Sequence, residues 1–275
     1  KINYGYLTWY AKRLKILKGC GISIAYPTSH FGWTAGRVQL PLLLGVTSDF
    51  FPDPNAESTS VDGQVGGNSS SVSWATLRDA ADGETAADTG ADSSANNDLV
   101  EGGSANTFRS LLRKFFLFDT SAIPDANTIN SATFSIFGLS TVSNQIGGCA
   151  NVSMVNTAPA SNTALVIGDY TTGVEFGTTQ QASDITLSGY SVSAYNAFTL
   201  NSTGLGNISK TSISKFGTCL DCDRTNTTPT YSAADESARY PNYYADQAGT
   251  TNDPKLSVVH TTSGGANLIP LLGVG

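Results

Sequence analysis

The chain has 275 residues, 40% of them hydrophobic and only 13% charged, enough to bury a substantial core. Six of its 15 basic residues (Lys1, Lys12, Arg13, Lys15, Lys18 and Arg37) precede residue 49, where no acidic residue occurs, so nine remain against all 22 acidic ones in 49–275. An acidic body argues against a nucleic-acid partner, because phosphate contacts require clustered Lys and Arg, and no apolar run reaches the length of a transmembrane span.

The N-terminal segment, 1–48, is basic and aromatic-rich. Its stretch YLTWYAKRLKILKG predicts an amphipathic helix with Tyr6, Tyr10, Leu14 and Leu17 near one face, stopped by Gly19 and Gly21. Such a face suits packing on this protein or a neighbour better than a membrane surface. The segment ends on LPLLLGV, where Leu42, Leu43 and Leu44 form an apolar cluster read as part of the working protein, not as a cleaved leader.

Residues 49–262 read as a β domain rich in Gly, Ser, Thr, Asn and Ala, with short strands between turn clusters. KFFLFDT suits a strand buried on both faces. SATFSIFGLS alternates through Phe134, Ile136 and Gly138, NVSMVNTA through Val152 and Met154, and KLSVVHTT through Leu256, Val258 and His260. This parity gives His260 a buried, hydrogen-bonded place at a strand end. Together these runs predict an all-β antiparallel sandwich of jelly-roll type.

The polar stretch 78–106 interrupts the pattern and is expected to be a solvated insertion. Its carboxylates, Asp79, Asp82, Asp88 and Asp92 foremost, are candidate calcium ligands, although the EF-hand spacing is absent. Of the four cysteines, Cys219 and Cys222 form a lone C-x-x-C. With only His30 and His260 as distant partners a zinc site is disfavoured, which leaves a structural disulfide between the two or inert thiols. SARYPNYYADQ offers Arg239, Tyr240, Asn242, Tyr243, Tyr244 and Asp246 as a candidate sugar platform, with aromatic faces for stacking and polar groups for hydroxyls. The chain then closes on ANLIPLLGVG, whose Leu268, Ile269, Leu271, Leu272 and Val274 make residues 263–275 an apolar tail. Five N-x-S/T sequons, at Asn68, Asn151, Asn201, Asn207 and Asn226, are expected on the surface.

Catalytic motifs are missing: there is no H-E-x-x-H, G-x-S-x-G, P-loop or G-x-G-x-x-G before a helix, and the carboxylates lie in loop-like stretches. The expectation is a protein that is not an enzyme and needs no cofactor beyond the candidate calcium.

FRSLLRKFFLFDTSAIPDANTINSATFSIFG, preceded by TSDFFPDPNAEST and followed by NDPKLSVVHTT, resembles the DNRLRE-type domain, a β-sandwich module related to carbohydrate-binding modules. The residues that carry the resemblance are Arg109 or Arg113, Phe118-Asp119, Ser121 to Pro124, Ser131 to Thr133 and Asp253 to Leu256, within about 47–262. It implies a sandwich fold and an extracellular or virion-surface setting, with no binding residues carried over. In physical terms Asp119 is placed to start an Asx-turn, and Arg113 to pair with a carboxylate across the strands or to reach the sheet edge. The apolar pieces at the two ends are expected to be assembly elements. The whole then reads as a subunit that associates with copies of itself in a virion or extracellular filament, or alternatively as an adhesin for surface glycans.

Overall fold

A computed structural model describes residues 45–89, 99–101, 106–231, 235–245 and 249–261. In chain order the elements are β1 (Gly45–Phe50), β2 (Asp62–Val72), helix α1 (Trp74–Arg78), β3 (Thr85–Ala87), β4 (Leu99–Glu101), β5 (Phe108–Asp119), β6 (Thr128–Phe137), β7 (Ser143–Asn144) and β8 (Asn151–Thr157). After a 3₁₀ turn at Ile167–Tyr170 come β9 (Phe176–Gln180), β10 (Ile185–Thr186), β11 (Tyr195–Thr199), α2 (Ser202–Gly206), β12 (Ile213–Leu220), α3 (Asp221–Thr225), β13 (Ser237–Arg239) and β14 (Lys255–Thr261). Among these the helices are five residues each, so the fold is all-β.

The strands form two antiparallel sheets. The smaller has the order β1-β14-β6-β11; the larger runs β10-β8-β12-β5-β4-β13-β7, with β2 on the other side of β5, β3 beyond β2, and β9 on β8. β5 is the hub of the larger sheet. One of its edges pairs with β2, while β12 takes the C-terminal half of the other edge and β4 the N-terminal half.

The predicted strand KFFLFDT lies within β5 up to Asp119, and apart from Arg109 and Asp119 every residue of β5 is buried. Its two faces serve different cores. Phe116 and Phe118 meet Phe134 of β6 with ring centroids 5.1 and 5.8 Å apart, and Phe134 stacks on Phe198 of β11, so this face fills the space between the sheets. On the opposite face, Phe115 packs edge-on against Phe176 of β9. Gly217 of β12 permits that approach: a Cβ there would lie 2.6 Å from the Lys114 carbonyl oxygen and 2.8 Å from the Phe176 ring.

The other alternating runs fold as their parity predicts. Ala132, Phe134 and Ile136 are buried on β6, and Leu256, Val258 and His260 on β14. His260 is hydrogen-bonded on both ring nitrogens, Nε2 with Ser48 Oγ at 3.0 Å and Nδ1 with Asn127 Nδ2 at 2.8 Å. Asp119 starts its turn as expected, accepting from the Ser121 amide at 3.0 Å and the Ser121 hydroxyl at 2.6 Å. Residues 151–155 differ in being buried on both faces after Asn151, where α3 packs against β8 and Arg224 bonds the Ser153 hydroxyl at 2.8 Å.

Two boundaries shift. β1 begins at Gly45, so the sheet takes up residues assigned by composition to the N-terminal segment, with Thr47, Ser48 and Asp49 opposite Val259, Val258 and Ser257. The polar stretch 78–106 is not wholly a solvated loop either, since Thr85–Ala87 pairs with β2 and Leu99–Glu101 with β5. The predicted N-terminal helix lies outside the described residues. Of the sequon asparagines, Asn201, Asn207 and Asn226 are exposed and Asn151 is half-buried.

Candidate functional site

The tyrosine patch does not lie open as a continuous platform. Tyr240 and Asn242 are fully buried and Tyr244 nearly so, which leaves no aromatic face from these residues for a ligand; Tyr243 and Arg239 are half-buried, and Asp246 lies outside the described residues. What draws this segment inward is Lys114 of β5. Its ammonium donates to the Tyr240 carbonyl and to Asn242 Oδ1, both at 2.8 Å, and sits 4.0 Å from the centre of the Tyr240 ring. A buried cation must find acceptors, and the segment that looked like an exposed polar surface supplies them. Tyr240 also donates to Thr218 Oγ1 at 3.1 Å, and Tyr244 packs on Phe116 with its hydroxyl 3.3 Å from Gln64 Oε1.

The candidate calcium ligands do not converge. Asp79 pairs with Arg78, Asp88 accepts the Leu165 amide at 2.7 Å, Asp82 is exposed, and Asp92 lies outside the described residues. Among the described residues no group of three or more His, Cys, Asp or Glu side chains is placed to hold a metal ion.

The cysteine pairing also differs. The disulfide joins Cys149 to Cys222, with Cα atoms 4.9 Å apart, and Cys219 is a buried free thiol. The reason is local. Cys219 is still in the extended β12, whereas Cys222 lies in the first turn of α3, so the two side chains of C-x-x-C leave the backbone in different directions. The turn before β8 brings Cys149 to Cys222. Burial pushes the Cys219 thiol well above its ordinary range, with the nearby Asp223 carboxylate adding to the effect.

The strongest electrostatic feature is Arg113, fully buried on the outer face of β5. Its Nε and Nη2 bond the two oxygens of Asp223 in α3, each at 2.8 Å. Further bonds run to the carbonyls of Tyr170 and Arg78, and the guanidinium stacks 4.1 Å from the centre of the Tyr170 ring. Desolvation alone would lower the Arg113 pKa, but the Asp223 carboxylate more than offsets it, so the group is held above its ordinary value. Burial likewise pushes the Tyr170 hydroxyl upward; it donates to the Leu77 carbonyl at 2.8 Å. This cluster clamps α1, the 3₁₀ turn and α3 onto the sheet. Of the two placements the sequence left open for Arg113, pairing with a carboxylate is the one realised.

An open polar groove of about 680 Å³ lies at the β13–β7 end of the larger sheet. Arg109, Arg239, Ser143, Asn144, Gln145 and Ser237 line it, together with Asp235, which pairs with Arg109 at 2.5 Å. Arg239 donates from Nε to the Thr141 carbonyl at 3.1 Å. Two guanidinium groups among hydroxyls and amides suit a polar or acidic ligand, and none of the described lining residues is aromatic.

At the smaller sheet, Gly45 of β1 stands opposite Thr261 of β14, so the chain enters β1 and leaves β14 at the same end. Among the described residues β1 pairs with β14 alone, and Val46 is 42% exposed. Leu42, Leu43 and Leu44, and Leu268, Ile269, Leu271, Leu272 and Val274, lie outside the described residues. No helix among the described residues is long and apolar enough to cross a membrane. No family model matches this chain, and no relative is found among curated proteins, so the DNRLRE-type resemblance rests on the quoted residues.

Proposed function

We propose that this chain is a non-catalytic structural protein of an extracellular or virion surface, a DNRLRE-type sandwich of jelly-roll connectivity that assembles with copies of itself through its apolar ends. The observation that supports this reading best is the placement of those ends. LPLLLGV runs directly into edge strand β1, and the apolar tail follows β14, which ends beside the start of β1. An edge strand offers unpaired backbone groups to an incoming strand. Burying five large apolar side chains contributes about 1.5–3 kcal/mol each, while ordering ten backbone residues costs about 1–2 kcal/mol apiece, so burial alone leaves the tail near balance. Backbone hydrogen bonds gained by extending a neighbour's sheet tip it toward assembly, and head-to-tail repetition gives rings or filaments.

Deleting residues 266–275 tests the proposal. A truncated chain that loses assembly but keeps its circular dichroism and melting temperature supports tail-mediated joining. One that stays assembled, or that unfolds as a monomer because the tail covers its own sandwich, refutes it. The second reading, an adhesin for surface glycans, is favoured by the Arg109–Arg239 groove and not by the tyrosines. A glycan array with binding lost in Arg239→Ala would support it.

A further inference from the structure

We propose that Lys114 and Asn242 become joined by an intramolecular amide (isopeptide) bond in the folded protein, with Asp62 moving the protons. Two buried polar side chains, Lys114 of β5 and Asn242, meet at the inner face of β5, and a third, Asp62 of β2, lies on the same face. Lys114 and Asn242 have no exposed surface and Asp62 is 1% exposed. Lys114 Nζ lies 2.8 Å from Asn242 Oδ1, one bond from the amide carbon it would attack. The Asn242 side chain is fixed in this orientation, because its Nδ2 donates to the Tyr243 carbonyl at 2.8 Å.

Asp62 reaches the same segment from the other strand. Gln64 stands opposite Lys114 and Asp62 opposite Phe116, so Asp62 occupies the position diagonal to Lys114 on one face of the β2–β5 pair. Its Oδ2 accepts the Ala245 amide at 3.0 Å, which ties it to the stretch that carries Asn242. The Tyr240 and Tyr244 rings and Phe116 shut water out of this pocket. A dry pocket lets the amide be attacked by the lysine without competition from water.

The step balances without an oxidant, metal or cofactor. The Asp62 carboxylate takes a proton from the Lys114 ammonium, and the neutral Nζ adds to Asn242 Cγ. The tetrahedral carbon collapses with cleavage of Cγ–Nδ2. The released nitrogen departs as ammonium, taking up the proton held by Asp62 and one from Nζ, and the carboxylate is restored. The new bond would tie residues 128 apart in sequence, joining β5 of the larger sheet to the segment that pairs with the end of β6 in the smaller one.

Intact-mass spectrometry of the full chain after disulfide reduction tests this directly. The whole population is expected to weigh less than its sequence by one ammonia. Trypsin should leave Lys114 uncut and yield a branched product in which the peptide beginning at Lys114 is attached to Tyr240–Lys255. Asp62→Asn, which keeps an acceptor for the Ala245 amide, is expected to regain the full sequence mass with a native circular dichroism spectrum. A wild-type chain at full sequence mass overturns the proposal, as does an ammonia loss that maps to a cyclised asparagine elsewhere. A linked Asp62→Asn chain overturns the role given to Asp62. If that variant fails to fold, the wild-type mass and branched peptide still decide.

Discussion

Asp223→Ala should be among the most damaging single substitutions in the described fold. Arg113 and Asp223 have side-chain exposures of 0% and 2%, and the carboxylate is held by two bonds of 2.8 Å. Removing one partner of a buried pair leaves the other charge uncompensated, which costs about 3–5 kcal/mol. Some support for Arg113 survives the change: the carbonyls of Tyr170 and Arg78 still accept from it, and the Tyr170 ring still faces it at 4.1 Å. Arg78 loses a contact of 3.3 Å to the same carboxylate but keeps its bond to the Asp223 carbonyl. The expected loss therefore sits at the lower end, about 3 kcal/mol, read from urea denaturation by far-UV circular dichroism. Replacing the cation as well, in Arg113→Met with Asp223→Ala, should recover part of that loss, because the penalty belongs to the orphaned charge. A single-variant loss under about 1 kcal/mol, or a double variant no better than the single, would refute the reasoning.

Cys222→Ala opens a loop whose ends are 73 residues apart, and chain entropy puts the expected loss at about 4 kcal/mol in the same urea experiment. A change indistinguishable from zero would mean that Cys149 and Cys222 are not bonded. Cys219, buried with its thiol pushed well above the ordinary range, should resist iodoacetamide at mildly alkaline pH in the native state and react once urea unfolds the chain; peptide mapping reads the labelling. Asp53 should contribute to acid sensitivity. Burial raises its pKa, but hydrogen bonds from the hydroxyls and amides of Ser58 and Thr59 outweigh that and hold it below 3.8. Its contribution is present above the unfolded value and lost as pH falls through the lower folded value, so Asp53→Asn should flatten the stability profile below 3.8. An unchanged acid limb would remove Asp53 from that role.

Strands with a run of apolar residues or a clean alternation were legible in the sequence, because burial on one or both faces writes itself as period. Most residues of KFFLFDT, SATFSIFGLS and KLSVVHTT fall in β5, β6 and β14, and the buried place of His260 followed from its parity with Leu256 and Val258. The pieces that depart from the sequence pattern depend on partners far away in the chain. Leu99–Glu101 becomes a strand only because the N-terminal half of β5 leaves an edge that β12 does not cover. The Cys222 pairing turns on where β12 ends and α3 begins, which the spacing of C-x-x-C does not record. Tyr240, Asn242 and Tyr244 read as a surface patch because their residue types suit one. Tyr240 and Asn242 are held inward by Lys114, 126 and 128 positions away from the carbonyl and amide it engages, and Tyr244 by Phe116 and Gln64. A signal was present even so: a lysine beside an arginine inside LLRKFFLF, a strand with no wet face, requires buried acceptors on both sides of the sheet.

Sedimentation velocity of the full chain over a rising concentration series tests self-assembly most directly. The account predicts species larger than the 28.6 kDa chain, whose proportion grows with concentration. Val46→Asp, which places a charge on the exposed start of edge strand β1, should abolish them while leaving the circular dichroism spectrum unchanged. A single 28.6 kDa species at every concentration would contradict it.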